Sequence, residues 1–278
     1  MVGLYDAGVL IDLAINPFDA SVPHMVALAR AAEARGVGCV WVADHFSGAV
    51  VGRSWSRDPF VCLGAIAATT DRVEVGVLVA NVVNRHPAQL ASAANSLQSM
   101  APGRVRLGVG SGAAPGSRFA VEHEAIGTSL SELDVRRRRL AASIEALRAI
   151  WSGDEDVVAE EVVEEVGFSG LTSVVDSSRC PPMIVGASSW PTVEVALRLA
   201  DGVNLRRTDQ LVELLDRIGR RRPDGFEVSV LDGFDDVAGD PGRVDEYVAA
   251  GVDRLVLGTS PPHRTDRLDR IDLTVRRA

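Results

Sequence analysis

RVEVGVLVANVVNRHPAQLASAANSLQSMAPGRVRLGVGSG, residues 72–112, decides the fold. It opens on a Val-rich apolar run at 73–79 and closes on another at 104–109. Between them, residues 87–100 place apolar side chains at helical spacing behind a proline that suits a first helical turn. Apolar runs that do not alternate with polar residues read as strands buried on both faces, which means a parallel sheet covered by helices. One strand–helix–strand unit therefore occupies this stretch.

The same unit recurs in both directions. Further strands are expected at 8–13 (GVLIDL), 38–43, 183–186, 202–205, 226–231 and 254–258. Helical spacing is found at 22–35, 59–70, 133–151, 190–200, 209–220 and 241–250, and the polar, Arg-rich tail is expected to supply an eighth helix. Eight such units in about 250 residues match an α/β chain of the (β/α)8 TIM-barrel type. A doubly wound open sheet is the alternative, but it rarely needs eight regular units. Two connections are long: 111–132 follows the fourth strand and should lie over the strand C-termini, whereas 152–182 follows the fourth helix at the opposite end unless it folds back. The acidic stretch 154–165 in the second reads as a solvated amphipathic helix, with a partner-binding face as the other reading.

Composition narrows the chemistry. The net charge of -9 disfavours nucleic acid and anionic membrane as partners. Cys39, Cys62 and Cys180 are too few and too scattered for a disulfide framework or a metal site. No apolar stretch is long enough to span a membrane and no signal-like segment opens the chain, so a cytoplasmic protein acting on a small molecule is expected. All 29 basic residues are arginines. Without lysine, Schiff-base and pyridoxal-phosphate chemistry are excluded, as is the lysine of a phosphate-binding loop.

In a barrel the strand C-termini form the active face. Four clusters would converge there: Asp44 and His45; Leu78, Val79, Ala80 and Asn81; Gly110, Ser111 and Gly112; and Gly186, Ala187, Ser188 and Ser189. Imidazole is the side chain whose proton exchange suits neutral pH. Glycines let backbone approach a ligand closely, and the hydroxyls after the fifth strand open a helix whose N–H groups suit phosphate. Together these loops point to a phosphorylated cofactor.

The blocks AEARGVGCVWVADHF (32–46), NVVNRHP (81–87), GRVRLGVGSG (103–112), EHEAIG (122–127) and VGASSWPTVEVALRLADGV (185–203) resemble the bacterial luciferase-like flavoenzyme superfamily. The resemblance is strongest to the branch that uses the deazaflavin coenzyme F420, and it covers roughly residues 8–205. It implies one barrel domain over residues 1–278, with the cofactor ring over the barrel mouth. Leu78 and Val79, with Ala80 and Asn81 beside them, would form a bulge under the ring, often with a cis peptide. Gly110–Gly112 and Gly186–Ser189 would hold the ribityl-phosphate portion, and Asp44 and His45 would meet the reactive edge, His45 moving a proton and Asp44 orienting or contacting the cofactor. Arg85 and His86 are read as supporting the bulge, and His24, His123 and His263 as surface or loop residues.

Members that oxidise a sugar phosphate carry a Glu where this chain has Ala113 and a Trp soon after Asp-His-Phe, where this chain has Ser47 to Val50 and reaches Trp55 only later. Sugar-phosphate oxidation is therefore disfavoured. The C-terminal third is shorter than in most relatives, so their substrate and polyglutamate-tail contacts do not transfer to LRRTDQ (205–210). The leading expectation is hydride transfer between F420 and a small organic substrate, in a homodimer. The alternatives are an FMN-dependent monooxygenase fed by a flavin reductase, and a non-catalytic flavin-binding derivative.

Overall fold

The computed structural model describes residues 8–158, 165–176, 179–240 and 242–271. Eight strands run in the order β1 (Leu10–Ile15), β2 (Cys39–Val42), β3 (Glu74–Asn81), β4 (Val105–Gly110), β5 (Met183–Ala187), β6 (Gly202–Arg206), β7 (Glu227–Gly233) and β8 (Arg254–Thr259). Each pairs in parallel with the next, and β8 closes on β1, giving a barrel. The helices are α1 (Val22–Ala34), α2 (Pro59–Ala67), α3 (Pro87–Met100), α4 (Val121–Ala125), α5 (Leu133–Ser152), α6 (Trp190–Leu199), α7 (Leu211–Gly219), α8 (Phe234–Gly239) and α9 (Gly242–Ala249).

Alternation along the strands sorts side chains into two cores. Outward-facing Leu13, Val40, Val75, Leu107 and Val185 pack with Leu63, Leu90, Leu140 and Ile144 of the helices. Inside the barrel, Cys39, Trp41, Ile184 and Val256 form a separate layer, with Ala14, Leu78 and Leu231 against it. Trp41 fits there because β3 carries a glycine beside it; a Cβ on Gly76 would stand 2.6 Å from the indole. Beneath this layer the floor is ionic: Arg254 pairs with Asp12 and Glu74, and Arg106 with Glu74 and Glu227.

Helix starts follow local chemistry. The Asp58 carboxylate accepts from Phe60 N and Val61 N at the head of α2. His86 caps α3 reciprocally with Gln89, and Pro87 occupies the first turn.

Three expectations are corrected. In place of an eighth helix after β8 there is a short 3-10 helix, Thr265–Arg270, within the described residues. Helix α8, between β7 and α9, has no counterpart in the sequence reading. The acidic stretch was read as a helix, but its described end pairs Val157 with Phe168 in an antiparallel bridge; residues 159–164 lie outside the described residues. The long connection does fold back along α3. Arg179 O accepts from Gln98 near the end of that helix, and Gly167 O accepts from Nε2 of His86 at its start. Among the described residues no helix is long and apolar enough to cross a membrane.

Candidate active site

At the C-terminal ends of the strands lies a cavity of about 540 Å³, within the usual range of small-molecule sites. Its walls contain every residue singled out from the sequence except Ala80: Asp44, His45, Leu78, Val79, Asn81, Gly110–Gly112 and Gly186–Ser189 all line it. Ala80 is fully buried in the outer core, because the register shift in β3 between Val77 and Ala80 inverts the alternation and pairs it with outward-facing Val109.

His45 is held on three sides. Its ring stacks on Phe119 with centroids 5.5 Å apart and lies 5.4 Å from that of Phe18. Nδ1 stands 2.7 Å from Oε1 of Glu122. A carboxylate only accepts, so Nδ1 carries the hydrogen and Nε2 is the basic nitrogen. Glu122 is 1% exposed and its other oxygen accepts from Phe46 N and Ser47 N, so one carboxylate fixes both the ring and the turn that carries it. The carboxylate that meets the imidazole is therefore Glu122, on α4, and not the adjacent Asp44.

Asp44 is occupied elsewhere. It accepts from Asn81 N at 3.0 Å and from Arg85 at 3.0 and 2.9 Å, and Arg85 reaches on to Asp58. This links the end of β2 to the end of β3. Burial works against the Arg85 charge, but Asp44 and then Asp58 outweigh it and raise its pKa above the ordinary value.

His123, read from the sequence as a surface residue, is fully buried at the mouth. Its Nε2 lies 3.0 Å from Asn81 Nδ2, while Asn81 Oδ1 accepts from Val83 N. That pattern makes the amide the donor and leaves the proton of a neutral His123 on Nδ1. Burial lowers its pKa, in keeping with a neutral ring. His263 is likewise buried and donates from Nε2 to Asn16 O at 2.8 Å.

Three of the glycines also meet a packing constraint. The β3–β4 register shifts between Val77 and Ala80, and the Leu78–Val79 peptide is cis, as the resemblance implied. The Val79 side chain then occupies the space that three missing side chains leave. A Cβ on Gly110 would stand 2.4 Å from Val79, one on Gly186 2.9 Å, and one on Gly108 3.1 Å. The glycines therefore form the socket for the bulge, and Val79 presents the resulting surface to the cavity.

We expect Gly110→Ala to cost roughly 1–3 kcal/mol, the usual penalty for overpacking, because a β-branched neighbour cannot swing aside. Urea unfolding checks this. The paired substitution Gly110→Ala with Val79→Ala should recover part of the loss, and strict additivity would refute the socket.

Glu122, His123, Phe119 and Arg136 come from the long 111–132 connection and the start of α5. The sequence places that connection over the mouth but assigns only Ser111 and Gly112 at its start to the site. The motif EHEAIG was in view, yet a short polar helix looks like surface until a barrel strand packs against it. Among the described residues no three or more His, Cys, Asp or Glu converge as a metal cluster.

A sequence model of the family described as luciferase-like monooxygenase matches residues 9–230. The chain belongs to that family. This luciferase-like chain is 30% identical over 183 residues to an F420-dependent glucose-6-phosphate dehydrogenase of Nakamurella multipartita, covering 63% of this chain and 49% of the relative. It is also 30% identical over 187 residues to an F420-dependent hydroxymycolic acid dehydrogenase of Mycobacterium tuberculosis, covering 64% and 48%. The chain thus spans about half the length of these curated relatives. Among solved structures, an F420-dependent secondary alcohol dehydrogenase in complex with an F420-acetone adduct superimposes with a TM-score of 0.76 at 17% identity, over 96% of this chain and 97% of the other. That likeness shows the shared luciferase-like barrel.

Proposed function

We propose that the chain is an oxidoreductase that moves a hydride between coenzyme F420 and a small organic substrate in the cavity over the barrel mouth. The observation that carries this reading is His45 held by Glu122 beside the Leu78–Val79 bulge, within one cavity. The residues present fit a deazaflavin. Leu78 and Val79 offer an apolar shelf for a flat ring. The hydroxyls of Ser188, Ser189 and Thr192 at the head of α6 offer donors to a phosphate. When bound, F420 supplies a two-electron hydride donor or acceptor. The names of the curated relatives agree with that cofactor.

The chain's own part is binding, orientation and proton movement. Glu122 fixes the His45 tautomer, so Nε2 takes the proton from a substrate hydroxyl as hydride leaves its carbon, or returns it in the opposite direction. Asp44 positions the mouth by tying Asn81 and Arg85 to the end of β2. Ala113 lines the cavity and offers no acid or base.

Titration of the purified protein with F420 and with FMN, each oxidised and reduced, tests the reading. Tight binding of F420 with much weaker FMN is the expected result. Micromolar FMN with no detectable F420 would instead support a monooxygenase supplied by a flavin reductase. Binding of neither would leave a non-catalytic scaffold.

A further inference from the structure

Helix α4 docks on the barrel through polar groups. Its buried side chains are Glu122 and His123, while Val121 and the following Ile126 are 39% and 58% exposed. A surface helix ordinarily seats through an apolar stripe, and one of five residues is too short to be stable by itself in water. Its N-cap, Ala120, supplies no side-chain hydrogen bond. Hydrogen bonds from two consecutive side chains take the place of the stripe.

Glu122 reaches the turn after β2, where it meets His45, Phe46 N and Ser47 N. His123 reaches the end of β3, where its Nε2 accepts from Asn81 Nδ2 at 3.0 Å. Strands β2 and β3 are neighbours in the barrel. Consecutive helical positions point about 100° apart, so a short helix meets both strand ends in only one setting. Among the described residues, no other hydrogen bond joins residues 113–130 to a strand or to the turn after one.

We propose that His123 is a positioning residue: by accepting from Asn81 it seats α4 so that the Glu122 carboxylate meets Nδ1 of His45. Its effect on turnover rests on the oxidoreductase reading. The docking itself does not.

The bond from Asn81 is directional. Asn81 Oδ1 accepts from Val83 N and Asn81 N donates to Asp44, so the amide turns its Nδ2 towards α4. Its partner must therefore be an acceptor, and a neutral imidazole with its proton on Nδ1 supplies one. That choice carries a penalty. The Nδ1–H of His123 is buried and meets no acceptor, and an unpaired buried donor is destabilising. A side chain suited to stability alone would not leave it so; such departures gather where function needs them.

His45, in turn, depends on Glu122. Among the described residues no other acceptor meets its Nδ1, and the rings of Phe18 and Phe119 hold the imidazole wherever its proton sits. The tautomer of an imidazole is set by the hydrogen bond that one nitrogen makes, and only the Nδ1–H form leaves Nε2 basic. Tilting α4 away from β3 therefore lowers the fraction of His45 ready to take a proton, with every group at the mouth still present.

The test begins on the unliganded protein, on the basic side of neutrality, with nitrogen NMR of the imidazole rings, which reports each tautomer directly. Wild-type His45 and His123 should both carry the proton on Nδ1. His123→Phe keeps a buried ring without the acceptor, and His123→Gln keeps an acceptor near the place of Nε2. In His123→Phe the His45 signals should move towards the tautomer mixture of a free imidazole. In His123→Gln they should stay at the wild-type position.

With a substrate that the wild type converts, kcat of His123→Phe should fall roughly ten- to a hundredfold at nearly constant KM, the usual effect of misplaced geometry. His123→Gln should keep most of the wild-type kcat. Adding His123→Phe to Glu122→Gln should lower kcat little beyond Glu122→Gln alone, because both act through one contact.

A wild-type protein with the proton of His45 or His123 on Nε2 overturns the proposal before any variant is made. So does His123→Phe with the His45 signals and kcat of the wild type. A lower Tm in both variants with the His45 signals unmoved makes His123 a packing residue, which overturns it as well. If His123→Phe does not fold, His123→Leu, smaller and equally without an acceptor, takes its place under the same criteria. Failure of F420 and FMN to bind, or full turnover in His45→Asn, with the tautomer results intact, refutes the functional reading and leaves the docking role standing.

Discussion

Replacing His45 by Asn is expected to lower turnover by roughly two to four orders of magnitude while leaving cofactor affinity nearly unchanged. Asn keeps a polar side chain of similar reach but cannot take and return a proton. The partner substitution is Glu122→Gln. It retains one acceptor for the Phe46 and Ser47 amides but gives up the charge that faces Nδ1 of His45. Turnover should fall there too, by less than in His45→Asn, and the double variant should lose little beyond His45→Asn alone, because the two act as one unit. The measurement is kcat and KM with any substrate the wild type converts, alongside cofactor titration and a thermal melt. Unchanged turnover in His45→Asn would make the Asp-His pair a structural turn. Independent, additive losses would remove Glu122 from the proton path.

The barrel was legible because its signal is local. Each strand is a short Val- or Leu-rich run followed by a helix at 3.6-residue spacing, and both patterns are set by neighbours in sequence. The convergence of Asp44, Leu78, Gly110 and Gly186 followed at once, since strand C-termini share one end of such a barrel. The partners of those residues did not follow. Glu122 meets His45 across 77 positions of sequence, and only closure of the barrel brings α4 over the end of β2. The glycines show the same limit. Gly110 and Gly186 were recognised as places where a side chain was unwelcome, but the neighbour that excludes it, Val79, belongs to a bulge that shifts the β3 register. A one-dimensional pattern reports that space is short and not what fills it. The floor is the clearest case. Asp12, Glu74, Arg106, Glu227 and Arg254 each interrupt or open an apolar run, and none carries a sequence signal of its role because its counter-charge sits on another strand.

That floor should give the largest stability effect in the molecule. Asp12 is fully buried and accepts from Trp41 Nε1 at 2.9 Å and from Arg254 Nε and Nη2 at 2.8 and 2.9 Å. Burial works against the Arg254 charge, yet Asp12 outweighs it and holds the pKa above its ordinary value. Asp12→Ala removes that partner and leaves a guanidinium only 5% exposed, with Glu74 at 2.7 Å and Glu227 at 3.6 Å. The expected cost is about 3–5 kcal/mol, a large share of the roughly 5–15 kcal/mol that holds a typical domain folded. Much of this reflects buried donors left without an acceptor, Trp41 Nε1 and Arg254 Nε, and not the net worth of the pair. Removing both partners, Asp12→Ala with Arg254→Met, should therefore cost less than the two single losses added together. Urea unfolding of the three variants gives the comparison. A loss for Asp12→Ala near zero would mean that water reaches the floor and solvates Arg254. Ligand affinity of whichever variants remain folded should match the wild type, because the floor and the mouth are opposite ends of the barrel and share no side chain.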